Sequence, residues 1–490
     1  MSQFFEMRPP RPYLVWSIAF AMGLLHLWRI QDIPWINDEP QLILKALAAN
    51  ADGVLAQSGL TGSFGVAYSP IVVWLYQGTL YLTSNIFAIA LLKTGFSLLL
   101  LYVGAAVLQR ETKLVLPGVL LIFSSPYIWF YNRIVWDNVF LIPLSLLLLA
   151  LLASFLNRPT AWKVYLLGLL CVLCLHVHLM ALIPILALVV TLAMARRRQL
   201  LSEWKWYLPT LVGAVLLLTP YLVSLKGQVV ASSAMHSAGL FDSLRNAWTG
   251  FRFFSHWQFD HIFHGYYDAP VLVVGLGLTL VFSGALFLAG LVRGMRRWLL
   301  VIRGRGAALA SDWVNLYALS TIVLMMAFFV VTRAIDFPHY FNASWCAYLI
   351  FIWNGLDLVW SRVKWAGAAY FVFLMVTVSL TFSLLEKVHR SHGDKSIYYG
   401  PTLQSQVAVA RSIAPYVPHV EVDAGNSSYR YFPQALASLV LLELKRQGLP
   451  GYAGSRRSFV VRFVTGPQQR DGRMEVIGIS AANPTGETVP

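Results

Sequence analysis

The feature that most constrains this chain is an apolar run of about 18–24 residues that recurs from the N-terminus to about residue 385. A helix of that length crosses the roughly 30 Å hydrocarbon core of a bilayer, whereas a barrel strand needs only about 9–11 residues. We read eleven spans, at about 13–30, 88–108, 114–131, 139–156, 164–176, 180–195, 206–224, 269–292, 313–332, 341–360 and 366–385. Composition agrees: 58% of the 490 residues are hydrophobic and 12% are charged, against about 25% charged in soluble domains. The expected class is an all-α polytopic membrane protein.

The net charge of +15 is concentrated rather than spread. Loops 1–12, 109–113, 157–163, 196–205, 293–312 and 361–365 hold 17 Lys/Arg in 59 residues. The alternate loops 31–87, 132–138, 177–179, 225–268 and 333–340 hold 6 in 119. This asymmetry is a membrane-orientation signal, not a nucleic-acid surface, and it places the first set in the cytoplasm. The N-terminus is then cytoplasmic, and an odd number of spans puts the C-terminus outside. The first run follows Arg8 and Arg11 with no small-residue cleavage site, so it reads as a retained span. The compact size favours a bacterial inner membrane. Three cysteines are too few for a disulfide framework; Cys171 and Cys174 read as packing residues in an apolar helix.

Two stretches of the first outer loop read as juxtamembrane helices. Residues 40–57 are amphipathic, with Leu42, Leu44, Leu47 and Val54 opposed to Gln41, Lys45, Asn50 and Asp52. Residues 69–87 are apolar, but counting them as a span would reverse Arg110 and Lys113 and break the charge pattern; Trp74, Tyr76 and Tyr81 suit an interfacial depth. A second outer loop, 225–268, carries His236, His256, His261 and His264 among aromatics. From residue 386 the composition turns ordinary. Helices at 402–413 and 433–447 and strands at 419–422 and 458–464 predict a small outer α/β domain over 386–490, beside a membrane module over 1–385.

Polar residues gather at the outer ends of the spans: Asp38, Glu39, Arg133, Asp137, His176, His178, Arg333, Asp336, His339 and Tyr340. No ionisable side chain is expected at a bilayer midplane, where a transporter would place its site. A site at one face suits chemistry on a lipid-borne headgroup. Asp38 and Glu39, in Trp35-Ile36-Asn37-Asp38-Glu39-Pro40, can take a proton from a hydroxyl or sit at the start of a helix as a cap. Arg133 and Asp137 are four apart, as in an ion pair on one helix face; alternatively Asp137 supports the base and Arg133 serves a phosphate. Arg333 can hold a phosphate leaving group or anchor to headgroups. His176 and His178 point to different sides of a helix, so a metal site is not expected there. No glycine-rich nucleotide loop stands out on the cytoplasmic side.

Together these motifs resemble the GT-C superfamily of polyprenyl-phosphate-sugar glycosyltransferases, in the branch of the protein O-mannosyltransferases and the lipid A aminoarabinose transferase. The resemblance covers the whole architecture through short motifs. It implies an inverting transferase that moves a sugar from a polyprenyl-phosphate carrier to a glycan, lipid or protein acceptor, with no cofactor and no metal. It assigns Asp38 as catalytic base, Glu39 as the second acid and Asp137, in Trp136-Asp137-Asn138, as the second outer Asp. Pro338-His339-Tyr340-Phe341 matches a late-span start that helps hold the carrier phosphate. Tyr68-Ser69-Pro70 through Trp74 matches a pocket segment in which the aminoarabinose enzymes carry a phosphate-binding Lys before Pro. Ser69 stands there in this chain, which shifts phosphate binding toward Arg333 or Arg133. Two alternatives remain: a polysaccharide polymerase or O-antigen ligase centred on Arg and His of loop 225–268, and a transporter of a lipid-linked sugar.

Overall fold

The computed structural model describes residues 11–36, 38–62, 67–202, 205, 208–224, 241, 252, 270–303, 309–332, 338–393, 399–414, 419–423, 432–448 and 458–462. Sixteen helices and one strand pair are assigned among them. The chain opens with α1 (Pro12–Leu25), α2 (Asp38–Ala51), α3 (Ile71–Leu82) and α4 (Ile86–Thr112). It continues through α5 (Val119–Ser124), α6 (Pro126–Tyr131), α7 (Leu141–Asn157), α8 (Ala161–Val177), α9 (Leu182–Ser202) and α10 (Leu208–Ser224). The later helices are α11 (Pro270–Ile302), α12 (Ala310–Thr332), α13 (Trp345–Trp360), α14 (Ala366–Ser391), α15 (Leu403–Ile413) and α16 (Phe432–Arg446).

Among the described residues, five stretches are helical, long and apolar enough to cross a membrane: Ile86–Thr112, Asn138–Asn157, Pro270–Ile302, Ala310–Thr332 and Ala366–Ser391. Their outward faces are apolar, with Leu92, Leu99, Val271, Val281, Phe371 and Val372 all exposed. A continuous exposed apolar surface on this scale is a lipid-facing one, so this is a multi-pass membrane protein. The remaining apolar helices are shorter. At 12 residues α3 extends only about 18 Å, short of the roughly 30 Å hydrocarbon core.

The expected span 114–131 is not one helix. A short 3-10 turn leads into α5, and the chain breaks at Ser125-Pro126 before α6. Pro126 has no amide hydrogen to continue the ladder, and the Ser125 side chain instead accepts from the Ile128 amide at 3.4 Å. This broken span is buried along its length, from Val119 through Tyr131.

The C-terminal elements fall close to their sequence expectation: α15, α16 and the strands β1 (His419–Asp423) and β2 (Ser458–Arg462). The strands pair in parallel, His419 opposite Ser458, with α16 as the crossover that a parallel pair requires. Helices α15 and α16 pack on each other, and α16 also packs on α2. This segment also grips residues 32–36, the run-in to Asp38. The Leu403 amide donates to the Ile33 carbonyl at 2.9 Å, and Gln406 Nε2 donates to the Trp35 carbonyl at 2.8 Å. The indole N–H of the fully buried Trp35 donates to Ser438 Oγ at 3.1 Å. Buried Asp32 meets His389 Nδ1 at 2.9 Å, and the Tyr399 hydroxyl donates to the Asp32 carbonyl.

Candidate functional site

Asp38 and Glu39 form the first turn of α2, where the partial positive charge of a helix N-terminus favours carboxylates. Asp38 is half-buried and Glu39 is buried. Burial pushes the Asp38 carboxyl up to about 6, against the opposing effect of a hydrogen bond from the Trp136 side chain. Asp137 is buried and caps the short turn that leads into α7, accepting from the Asn138 amide at 2.6 Å. Its carboxyl is held well above the usual range, first by burial and then by the charge of Asp38, with Glu39 adding to it. The two ends of the sequence pattern, Asp38-Glu39 and Asp137, are thus electrostatic neighbours.

Tyr76 on α3 completes this acidic pocket. Its ring is buried 6.4 Å from Phe140, and its hydroxyl lies within the field of Asp137 and Glu39. That hydroxyl has no hydrogen-bond partner among the described residues. A buried polar group in that state is costly, and its position in the field of two carboxylates, Asp137 and Glu39, marks a place where a ligand hydroxyl would satisfy it.

The aromatic-basic wall follows from the same elements. Trp136, the hydrogen-bond partner of Asp38, meets His339 edge-on at 4.8 Å between ring centroids. Asn138 Nδ2 donates to the His339 carbonyl at 3.2 Å, which ties the Asp137 turn to the segment before α13. His339 packs against Tyr340 at 4.6 Å and lies close enough to His178 for the two to interact electrostatically. His178 packs against Tyr68 in a tilted pair, 4.4 Å between centroids, and His176 is hydrogen bonded to Ser69. The two histidines do diverge, because α8 ends at Val177 and His178 is extended. They diverge onto successive residues of one strand-like segment, so Tyr68 and Ser69 are gripped as a pair. The structure therefore brings together Asp38, Glu39, Asp137, His339, Tyr340, Tyr68 and Ser69.

Two expected site residues are occupied elsewhere. Arg133 does not pair with Asp137 along a helix, because α6 ends at Tyr131 and a turn intervenes. Its guanidinium donates to the carbonyls of Trp28 at 2.9 Å and Arg29 at 2.5 Å and lies 4.6 Å over the Trp129 ring. A guanidinium held by two carbonyls is a structural brace rather than an open phosphate ligand. Trp74 Nε1 donates to the Ala56 carbonyl at 2.7 Å, so it stitches α3 to the preceding loop. Arg333 and Asp336 lie outside the described residues, as does loop 225–268 apart from Phe241 and Arg252.

Sequence reasoning passed over three residues here. Tyr76 looked like an interfacial aromatic, and Trp136 only marked the position of Asp137. Lys93 is the third: it lies seven residues into α4, about 10 Å from its start and so short of a bilayer midplane. It is buried, donates to the Asn132 carbonyl at 2.8 Å and sits 5.4 Å from the Phe140 centroid. The available signal was a lone lysine in an apolar run, since ionisable residues inside a membrane usually mark function. No group of three His, Cys, Asp or Glu side chains is disposed to hold a metal among the described residues.

No protein-family model matches this chain, and no curated protein matches it.

Proposed function

We propose that the protein is an inverting glycosyltransferase that moves a sugar from a polyprenyl-phosphate carrier to an acceptor hydroxyl at the extracytoplasmic face of the membrane. Its architecture is a GT-C-like module of about eleven spans with juxtamembrane helices α2 and α3, closed by a small outer α/β domain. The bacterial inner membrane is the proposed location. The observation that carries this reading is the meeting of Asp38, Glu39 and Asp137 with the unpartnered Tyr76 hydroxyl. These groups lie beneath a helix too short to cross the membrane.

Asp38 takes the acceptor proton as the acceptor oxygen attacks the anomeric carbon. A carboxyl near 6 is largely ionised at neutral pH yet basic enough for the transfer. The bond from the anomeric carbon to the phosphate oxygen breaks, its electron pair leaves on the polyprenyl phosphate, and the sugar inverts. Trp136 fixes the Asp38 carboxylate in place. Asp137 and Glu39 orient the acceptor, and their repulsion keeps the Asp137 proton available for a hydrogen bond. His339 and Tyr340 lie beside Trp136 on the side assigned to the carrier phosphate, with Arg333 as the expected cation. Arg133, braced on carbonyls, is not part of this step.

The test uses purified wild type and Asp38→Asn, each mixed with short-chain polyprenyl-phosphate sugars and acceptor-containing membrane extract. Mass spectrometry reads the released polyprenyl phosphate. Release by wild type alone is expected. Equal release by both proteins would remove Asp38 as the base, and no release with any sugar would overturn the donor class.

A further inference from the structure

The C-terminal ends of α1 and α14 form a second site on the same face of the molecule. A shallow cleft of about 510 Å³ lies between Trp28, Arg29, Phe382, Glu386, Lys387 and Arg390. Among the described residues that line it, three cations meet one carboxylate, a net charge of +2.

The cleft is built rather than incidental. Glu386 draws the two arginines together, accepting from Arg29 at 2.9 Å and from Arg390 Nε at 2.8 Å. One carboxylate cannot saturate two guanidinium groups with five donors each. The buried Arg29 Nε has no hydrogen-bond partner among the described residues, and Arg390 is 76% exposed. Arg29 itself adopts a left-handed backbone, φ 51°, which a residue with a β-carbon rarely does. Arg133 holds that conformation in place through the carbonyls of Trp28 and Arg29. The brace that withdraws Arg133 from the acidic pocket thus presents Arg29 to this one. Trp28 and Phe382 are exposed at 53% and 42%, one beside the cations and one along α14 toward the bilayer. Trp at that level is typical of a membrane–water interface.

We propose that this cleft binds the phosphate of an anionic membrane phospholipid, with its acyl chains lying along Phe382 and Trp28. The net charge of +2 selects a headgroup of net negative charge over a zwitterionic one, and the two exposed aromatics select a lipid over free phosphate. The site stands whether or not the protein is a glycosyltransferase, because none of its residues belongs to the acidic pocket.

Native mass spectrometry of the full chain reads this directly, with short-chain phosphatidylglycerol and phosphatidylcholine as probes. Wild type is expected to retain one phosphatidylglycerol with a preference of about tenfold or more, given the attraction of basic side chains for anionic lipid at a membrane surface. The preference should collapse in Lys387→Gln/Arg390→Gln and survive in Arg362→Gln/Lys364→Gln, which removes two charges from the opposite face. Equal retention of both lipids by wild type would overturn the proposal, whatever the variants do. So would a preference that persists in the Lys387→Gln/Arg390→Gln protein, or full displacement of the lipid by excess inorganic phosphate.

Discussion

Asp38 is placed where two demands conflict. Its ordinary carboxyl value of 3.8 rises to about 6 through burial. Between those values the folded protein holds a proton that the unfolded chain has released, so stability falls as pH rises through that window. Above about 6 the whole penalty is in force, and that is where a base must work. Asp38→Asn should therefore abolish transfer, by about 10²–10⁴-fold. The same variant should unfold at a higher temperature than wild type at pH 7.5, by about 1–3 kcal/mol of stability, and match it near pH 4. A variant less stable than wild type at both pH values would refute the strain at this position. The wild-type rate should fall about tenfold per pH unit below 6, checked by initial rates across pH 4.5–8. Tyr76→Phe gives a second contrast. It removes a buried hydroxyl that has no partner among the described residues, so the melting temperature should hold or rise while turnover drops about tenfold. Unchanged turnover would make Tyr76 a packing residue. At this scale the sequence was a partial guide. Asp38, Glu39 and Asp137 were legible because carboxylates are rare in so apolar a chain. The use of Arg133 was not, since nothing local encodes a bond to carbonyls 104 and 105 residues away.

The elements were legible where composition and period agree, and obscure where tertiary packing decides. The helix α3 and the helices and strands of the C-terminal segment could be read from pattern alone. The break at Ser125-Pro126 lies inside an apolar run that reads as one span. The closest helix contact was equally hidden. Helices α11 and α13 meet backbone to backbone, and a β-carbon added at Gly290 would lie 1.7 Å from the Phe351 carbonyl oxygen. One added at Gly355 would lie 1.9 Å from the Leu286 carbonyl oxygen. The contact is reciprocal: each helix offers a glycine and, four residues earlier, a carbonyl. Small residues are how helices in lipid gain packing when solvent drives nothing. Gly290→Ala and Gly355→Ala should each force the pair apart and cost about 1–3 kcal/mol, read as thermal unfolding in detergent. Gly277→Ala, a glycine of α11 with open space around its β-position, should be neutral. A neutral result at Gly290 would mean that α11 and α13 can separate freely.

For the whole molecule, the least legible feature is the grip of the C-terminal segment on residues 32–36. Trp35 and Ser438 are 403 residues apart, and neither neighbourhood signals the other. The grip makes the C-terminal segment part of the site's foundation, because Asp38 follows three residues after Trp35. It also makes the sidedness of the molecule testable from two exposed positions. Asp52 directly follows the helix that Asp38 begins, so it reports the side of that helix's C-terminal end. Asp137 and Arg158 bracket the crossing helix Asn138–Asn157, so Arg158 must lie on the opposite side. The proposed orientation puts the basic loops holding Arg110, Lys113, Arg158 and Lys163, and with them that opposite side, in the cytoplasm. Asp52→Cys should then react with a membrane-impermeant maleimide in intact spheroplasts, and Arg158→Cys only after permeabilisation. Both would be made in a background with Cys171, Cys174 and Cys346 replaced. Transfer activity should survive in each, since neither position touches the pocket. The reverse labelling would turn the acidic pocket toward the cytoplasm. A carrier whose sugar faces outward could not reach Asp38 there, and the proposed donor would fall even if Asp38 proved essential.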